Sequence, residues 1–136
     1  MVETASREPC QAAGNHVSIV GDSGLYRTTY MHFSHVGVSR GEHVMRGQPI
    51  GLSGNTGGDQ GGPGCTFSGS RPHLHLTLRA NAAVTARYPA SQRGSERAGF
   101  TAIPAESQIA MAVSPRTATR AEVRGVRLAP GVTVAA

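Results

Sequence analysis

Pro72-His73-Leu74-His75-Leu76-Thr77-Leu78-Arg79 is the stretch whose reading decides the fold. It predicts a β-strand: successive side chains leave a strand on opposite faces, so His73 and His75 share one face while Leu74, Leu76 and Leu78 line the other. Two imidazoles over a leucine-backed strand suit a metal and its catalytic partner. About 40 residues upstream, Tyr30-Met31-His32 repeats the spacing, and Tyr30 and His32 are expected to share a face of a second strand. Neutral imidazoles can bind zinc, and a further imidazole can stabilise a developing oxyanion. His32, His73 and His75 are therefore the candidate site. His35 and His43 read as exposed polar positions, and His16 as structural.

Working outward, the segments before residue 80 read as short strands between turns. His16-Val17-Ser18-Ile19-Val20 alternates, Gly21-Asp22-Ser23-Gly24 is a turn cluster, and Leu25 to Phe33 resumes with β-branched and aromatic residues, which predicts a hairpin. Residues 41–47 and 48–53 read as two more short strands around a glycine bend. Residues 54–69 hold seven glycines and are expected to be a long surface loop of the kind that borders sites.

Residues 1–9 are expected to be irregular, residues 10–79 to form the folded region, and residues 80–136 to be a largely disordered tail. That tail is rich in Ala, Arg, Ser, Thr and Pro and has no sustained period, apart from a weak strand-like stretch from Val123 to Val134. The predicted fold class is mainly β, an antiparallel sheet with an irregular C-terminal tail.

Composition agrees with that class. With 136 residues, 4% aromatics, no Trp and 18 glycines, the chain has room for one modest domain whose core is Val, Ile, Leu and Ala between tight turns. A net charge of +5 attracts polyanions, either nucleic acid or a wall polymer bearing teichoic acid. The arginines are scattered and not interleaved with aromatics, which argues against a nucleic-acid stacking platform. Cys10 and Cys65 permit one disulfide or two free thiols. No apolar run reaches the roughly 20 residues of a membrane span, and the N-terminal ten residues have no signal-peptide core.

Five motifs recur in order: Gly14-Asn15-His16-Val17; Tyr30-Met31-His32-Phe33-Ser34; Gly41-Glu42-His43-Val44-Met45-Arg46-Gly47-Gln48-Pro49-Ile50-Gly51; Ser53-Gly54-Asn55-Thr56-Gly57; and Arg71-Pro72-His73-Leu74-His75-Leu76. Together they resemble the second half of the lysostaphin-type (LytM-type) zinc metalloendopeptidases, and the two cysteines make the chain similar to the beta-lytic and staphylolysin branch. The resemblance implies an antiparallel sheet with a groove over the metal, and hydrolysis of peptide bonds in bacterial peptidoglycan cross-links, often next to glycine. It implies His75 as zinc ligand, His73 as general base or water-orienting group, and His32 as stabiliser of the tetrahedral intermediate. It also implies a Cys10–Cys65 disulfide and a secreted or cell-envelope setting.

One departure bears on activity. The family's other two zinc ligands lie in an upstream His-x-x-x-Asp motif that these residues lack. The expectation is a truncated peptidase domain, aggregation-prone through its open strand edges. The alternative is a degenerate, catalytically inactive domain that binds cell wall or a partner protein.

Overall fold

The computed structural model describes residues 1–58, 65–66, 72–102, 108–110 and 133–135. Among them the chain runs β1 (Val2–Ser6), β2 (Asn15–Val20), β3 (Tyr26–Val36), β4 (Pro49–Ser53), β5 (His75–Asn81), α1 (Ala82–Thr85), a 3₁₀ turn (Ala90–Gln92), β6 (Glu96–Arg97), β7 (Phe100–Ala102), β8 (Gln108–Ala110) and β9 (Thr133–Ala135). The strands join one antiparallel sheet in the order β1-β2-β3-β5-β7-β6, with β4 on β3, β9 on β4 and β8 on β5.

The central strand is β3, whose run of Thr, Tyr, Phe and Val suits a pleated, half-buried surface. The expected hairpin joins it to β2. Gly21 N–H donates to the Tyr26 carbonyl at 3.1 Å, and Gly24 turns the chain at φ +66°, a left-handed conformation that glycine adopts without a Cβ penalty. On the other side β5 pairs with β3 in the register Arg27↔Arg79, Thr29↔Thr77, Tyr30↔Leu76 and Met31↔His75. Directly opposed residues share a face, so this register sorts the sheet into an apolar side carrying Tyr30 and Leu76 and a polar side carrying Arg27, Thr29, His75, Thr77 and Arg79.

The apolar side packs Val2, Val17, Phe33, Val36, Val38, Ile50 and Leu74, with Tyr30, Ile19, Ala5 and Val44 partly buried against them. Phe33 and Ile50 have no exposed surface, and burying each side chain contributes about 2–3 kcal/mol. A second, small cluster joins Ala80, Val84 and Tyr88. It is held by α1, whose first turn is capped where Asn81 Oδ1 accepts from Val84 N–H at 3.2 Å.

Three expectations are corrected. Residues 1–9 are not irregular throughout: β1 pairs with β2 and buries Val2 completely. Residues 41–47 turn at Gly41 and at Arg46-Gly47 with irregular backbone between, and form no strand. Gly41 and Gly47 have φ near +84° and +82°, and Glu42 and Gln48 side chains accept from the backbone N–H groups of Ser39 and Met45, both at 3.0 Å, drawing them away from a ladder. The chain beyond Arg79 does not lose structure at once: α1, β6 and β7 follow it, and β8 adds to β5. Most of the glycine-rich loop, and all of the stretch from Val123 to Val134 except its last two residues, lie outside the described residues.

Candidate active site

His32 occupies an unusual backbone position. Its φ of +68° lies in the left-handed region, rare for a residue with a Cβ. The pairing of β2 with β3 explains it: the register runs Asn15↔Phe33 and then Val17↔Tyr30, so Met31 and His32 together oppose His16. This is a β-bulge, one extra residue on β3, which turns a side chain to the other face. Strict alternation would have placed His32 beside Tyr30 and sent Phe33 out of the core. Tyr30 and Phe33 instead both pack in the core, while the His32 ring lies near those of His73 and His75. The expected shared face of Tyr30 and His32 is thus corrected, and the same departure unites the three histidines.

The bulge is fixed by contacts on both flanks. His32 N–H donates to the Ala13 carbonyl at 3.1 Å, and its ring Nδ1 lies 2.8 Å from the Thr56 carbonyl oxygen. Thr56 Oγ1 donates to the Phe33 carbonyl at 2.7 Å and accepts from Asn15 N–H at 3.0 Å. Gly14, at φ +58°, faces the Thr56 backbone so closely that an added Cβ would collide with it. Thr56 is held in turn through Cys65. Gly57 N–H donates to the Cys65 carbonyl at 2.8 Å, Thr56 bridges Thr66, and a disulfide joins Cys65 to Cys10, with Cα atoms 4.7 Å apart. The two thiols that composition left open are therefore one covalent link beneath His32.

The ring of His32 lies 4.7 Å from that of His73 and 5.6 Å from that of His75, centroid to centroid. His73 is placed by its N–H donating to the Gly54 carbonyl at 3.1 Å, and His75 by its register opposite Met31. Burial pushes the His32 pKa down to about 4; the Thr56 carbonyl opposes this, while His73, His75 and His16 add to it. Burial, and then His73, also lowers the pKa of His75. Both rings are neutral at pH 7. A carbonyl oxygen only accepts, so His32 carries its proton on Nδ1 and presents Nε2 as the basic nitrogen.

Among the described residues His75 Nε2, which is buried, has no hydrogen-bond partner, the state expected of one metal donor. A protein-bound catalytic zinc takes three protein donors and a water. Among the described residues no group of three or more His, Cys, Asp or Glu side chains is arranged to hold a metal ion, so these residues alone do not fit such a site. His35 and His43 are exposed, as expected. His16, read as structural, instead faces the bulge and contributes to the field that lowers the His32 pKa. No spacing in the sequence marks it, because its place depends on the extra residue in β3.

Three histidine rings thus converge on the polar face of an antiparallel sheet, with His32 buried and His73 and His75 half-buried beside it. The sequence matches the profile of Peptidase family M23 over residues 1–86, and the chain belongs to that family. It is 44% identical over 66 residues to the peptidoglycan DD-endopeptidase ShyA of Vibrio cholerae, covering 48% of this chain and 13% of that protein. It is 37% identical over 68 residues to lysostaphin of Staphylococcus simulans, covering 50% of this chain and 12% of that protein. It is also 38% identical over 68 residues to the glycyl-glycine endopeptidase ALE-1 of Staphylococcus capitis, covering 50% of this chain and 16% of that protein. The chain therefore spans less than a fifth of the length of these relatives. No solved structure matches it.

Proposed function

We propose that the chain carries the histidine-bearing half of a zinc endopeptidase that cleaves peptide cross-links of bacterial peptidoglycan. The observation that carries this reading is the convergence of His32, His73 and His75 at a strained bulge, with ring centroids 4.7 and 5.6 Å from His32. Membership of Peptidase family M23, and relatives named as peptidoglycan or glycyl-glycine endopeptidases, support the substrate class.

In this reading His75 is the zinc donor of the chain, and the two further donors come from outside these 136 residues, where a His-x-x-x-Asp pair would lie. The residues on hand hold and move protons. His73 orients the attacking water or takes its proton as general base. His32 rests as a neutral acceptor through Nε2 and donates to a tetrahedral oxyanion only after that nitrogen has taken up a proton. The cysteine pair supports the beta-lytic and staphylolysin branch and an extracytoplasmic, oxidising setting. The +5 charge favours an anionic wall.

A second reading, an inactive domain that binds wall or a partner protein, is favoured by the missing three-donor set among the described residues. Calorimetric zinc titration of the chain joined behind a segment that supplies a His-x-x-x-Asp pair, and of the same protein bearing His75→Ala, tests the first reading: zinc binding that disappears with the substitution is expected. Binding unchanged by it would remove His75 from the site and favour the second.

A further inference from the structure

The polar face of the sheet continues past the histidines into a cavity of about 140 Å³ that neither the zinc site nor the proton-handling residues use. Its lining includes Arg27, Arg79, Arg97, Ser18, Thr29 and Thr77. Register accounts for the gathering: Arg27 opposes Arg79 and Thr29 opposes Thr77 across β3 and β5, and β7 carries the β6 strand that bears Arg97 alongside.

These cations are not equivalent. Arg27 is buried and committed: its Nε lies 2.7 Å from Glu3 Oε2, and its Nη2 donates to Ser18 Oγ at 3.5 Å. Among the described residues Arg79 donates to Ser95, through Nη1 to the carbonyl and Nη2 to Oγ at 3.3 Å. Among the described residues neither Arg79 nor Arg97 has a carboxylate within ion-pair distance. Among the described residues the cavity is thus lined by three guanidiniums and no carboxylate, Glu3 being paired with Arg27. Burial, and then the charges of Arg27 and Arg97, lower the pKa of Arg79, the electrostatic mark of a site that is short of an anion.

We infer that this cavity is an oxyanion-binding site in which Arg79 and Arg97 grip a carboxylate of the peptide whose scissile bond lies at the histidines. Guanidinium presents paired N–H donors that match a carboxylate, and the Thr29 and Thr77 hydroxyls add donors between them. The spacing fits one extended peptide. Arg79 stands four residues beyond His75 on the same strand face, about 13 Å at ordinary strand rise, which an extended peptide of about four residues spans. A wall phosphate offers the same chemistry and is the competing source of the oxyanion. The inference rests on the peptidase reading only for the carrier of the carboxylate.

The test is an NMR titration of the full 136-residue chain, following the Thr29 and Thr77 amides. The probes are inorganic phosphate, tetra-alanine with a free C-terminal carboxylate, and its C-terminal amide. The free acid is expected to shift both amides together with that of Met31, and the amide to bind about ten-fold more weakly, as loss of a charge-assisted hydrogen-bond pair requires. Arg79→Ala and Arg97→Ala are expected to weaken the acid by a similar factor, Arg79→Lys by less, and Arg46→Ala on the exposed loop not at all. Thermal melts of the variants identify any loss of fold.

Equal binding of acid and amide would overturn the assignment, as would variants that bind like the parent. Phosphate binding at these amides without peptide binding would overturn the carboxylate in favour of a phosphate-bearing polymer. Failure of wall cleavage would leave the titration result standing, so the two readings fail separately.

Discussion

His32 Nδ1 sits 2.8 Å from the carbonyl oxygen of Thr56, and this bond fixes one tautomer of an imidazole that burial keeps neutral at the centre of the histidine cluster. A stability dependence on pH follows. The folded-state pKa of about 4 lies below the ordinary 6.5, so between those values the unfolded chain binds more protons than the folded one. Stability is then full above pH 6.5 and falls as the pH drops towards 4, by about 2–3 kcal/mol, with His75 adding in the same direction. Urea unfolding at pH 7.5 and 4.5 reads the difference; equal midpoints in a His32→Gln and a parent chain, each unchanged with pH, would contradict it.

Gly14→Ala is expected to loosen the site from a distance. The φ of +58° disfavours any Cβ, and the new methyl meets the Thr56 backbone. A destabilisation of about 2 kcal/mol or more is expected, together with faster exchange of the His32 Nδ1 proton in NMR spectra. Gly24→Ala, at a similar φ but with open space around it, should cost only the smaller backbone penalty.

The Cys10–Cys65 disulfide closes a separation of 55 residues and anchors the segment that carries Thr56. Chain-entropy reasoning puts its contribution at about 4 kcal/mol as an upper estimate. Replacing both cysteines with alanine should lower the urea midpoint and broaden the His32 ring resonances. Sharp, unshifted His32 signals in the double variant would separate the disulfide from the site.

Phe33→Ala should cost about 3–5 kcal/mol, since the ring is wholly buried and leaves a cavity. Met45→Ala, at a side chain 77% exposed on the turn between β3 and β4, should be close to neutral. Because Phe33 reaches the core only through the bulge, its loss should also release His32, visible as a rise in the His32 pKa.

Much of this architecture is legible in the residues. The alternation of Pro72 to Arg79 is enough to assign the two faces of β5, and the Gly21–Gly24 turn signal defines the hairpin. The bulge at His32 is not legible, because no local preference favours a left-handed histidine. It is fixed by Ala13, Gly14 and Thr56, which are distant in the chain or act through φ alone. The strand β1 is also hidden: Val2-Glu3-Thr4-Ala5-Ser6 is too short and weakly patterned to announce itself, and its pairing with β2 is a long-range event. Residues 41–47 mislead in the other direction: between Gly41 and Gly47 they read as a short strand, while the Glu42 and Gln48 side chains accept from the backbone N–H groups of Ser39 and Met45 and draw the chain away from a ladder. The arginine cavity depends on cross-strand register, which scattered arginines in a sequence do not reveal.

The central claim is that these histidines belong to a peptidoglycan endopeptidase. Its most direct test is release of new amino termini from purified peptidoglycan, with zinc, by the chain joined behind a segment that supplies a His-x-x-x-Asp pair, compared with the same protein bearing His75→Ala. Cleavage by the first and none by the second is the expected result. No cleavage from a folded, zinc-loaded protein, or equal cleavage from the His75→Ala form, would contradict the claim.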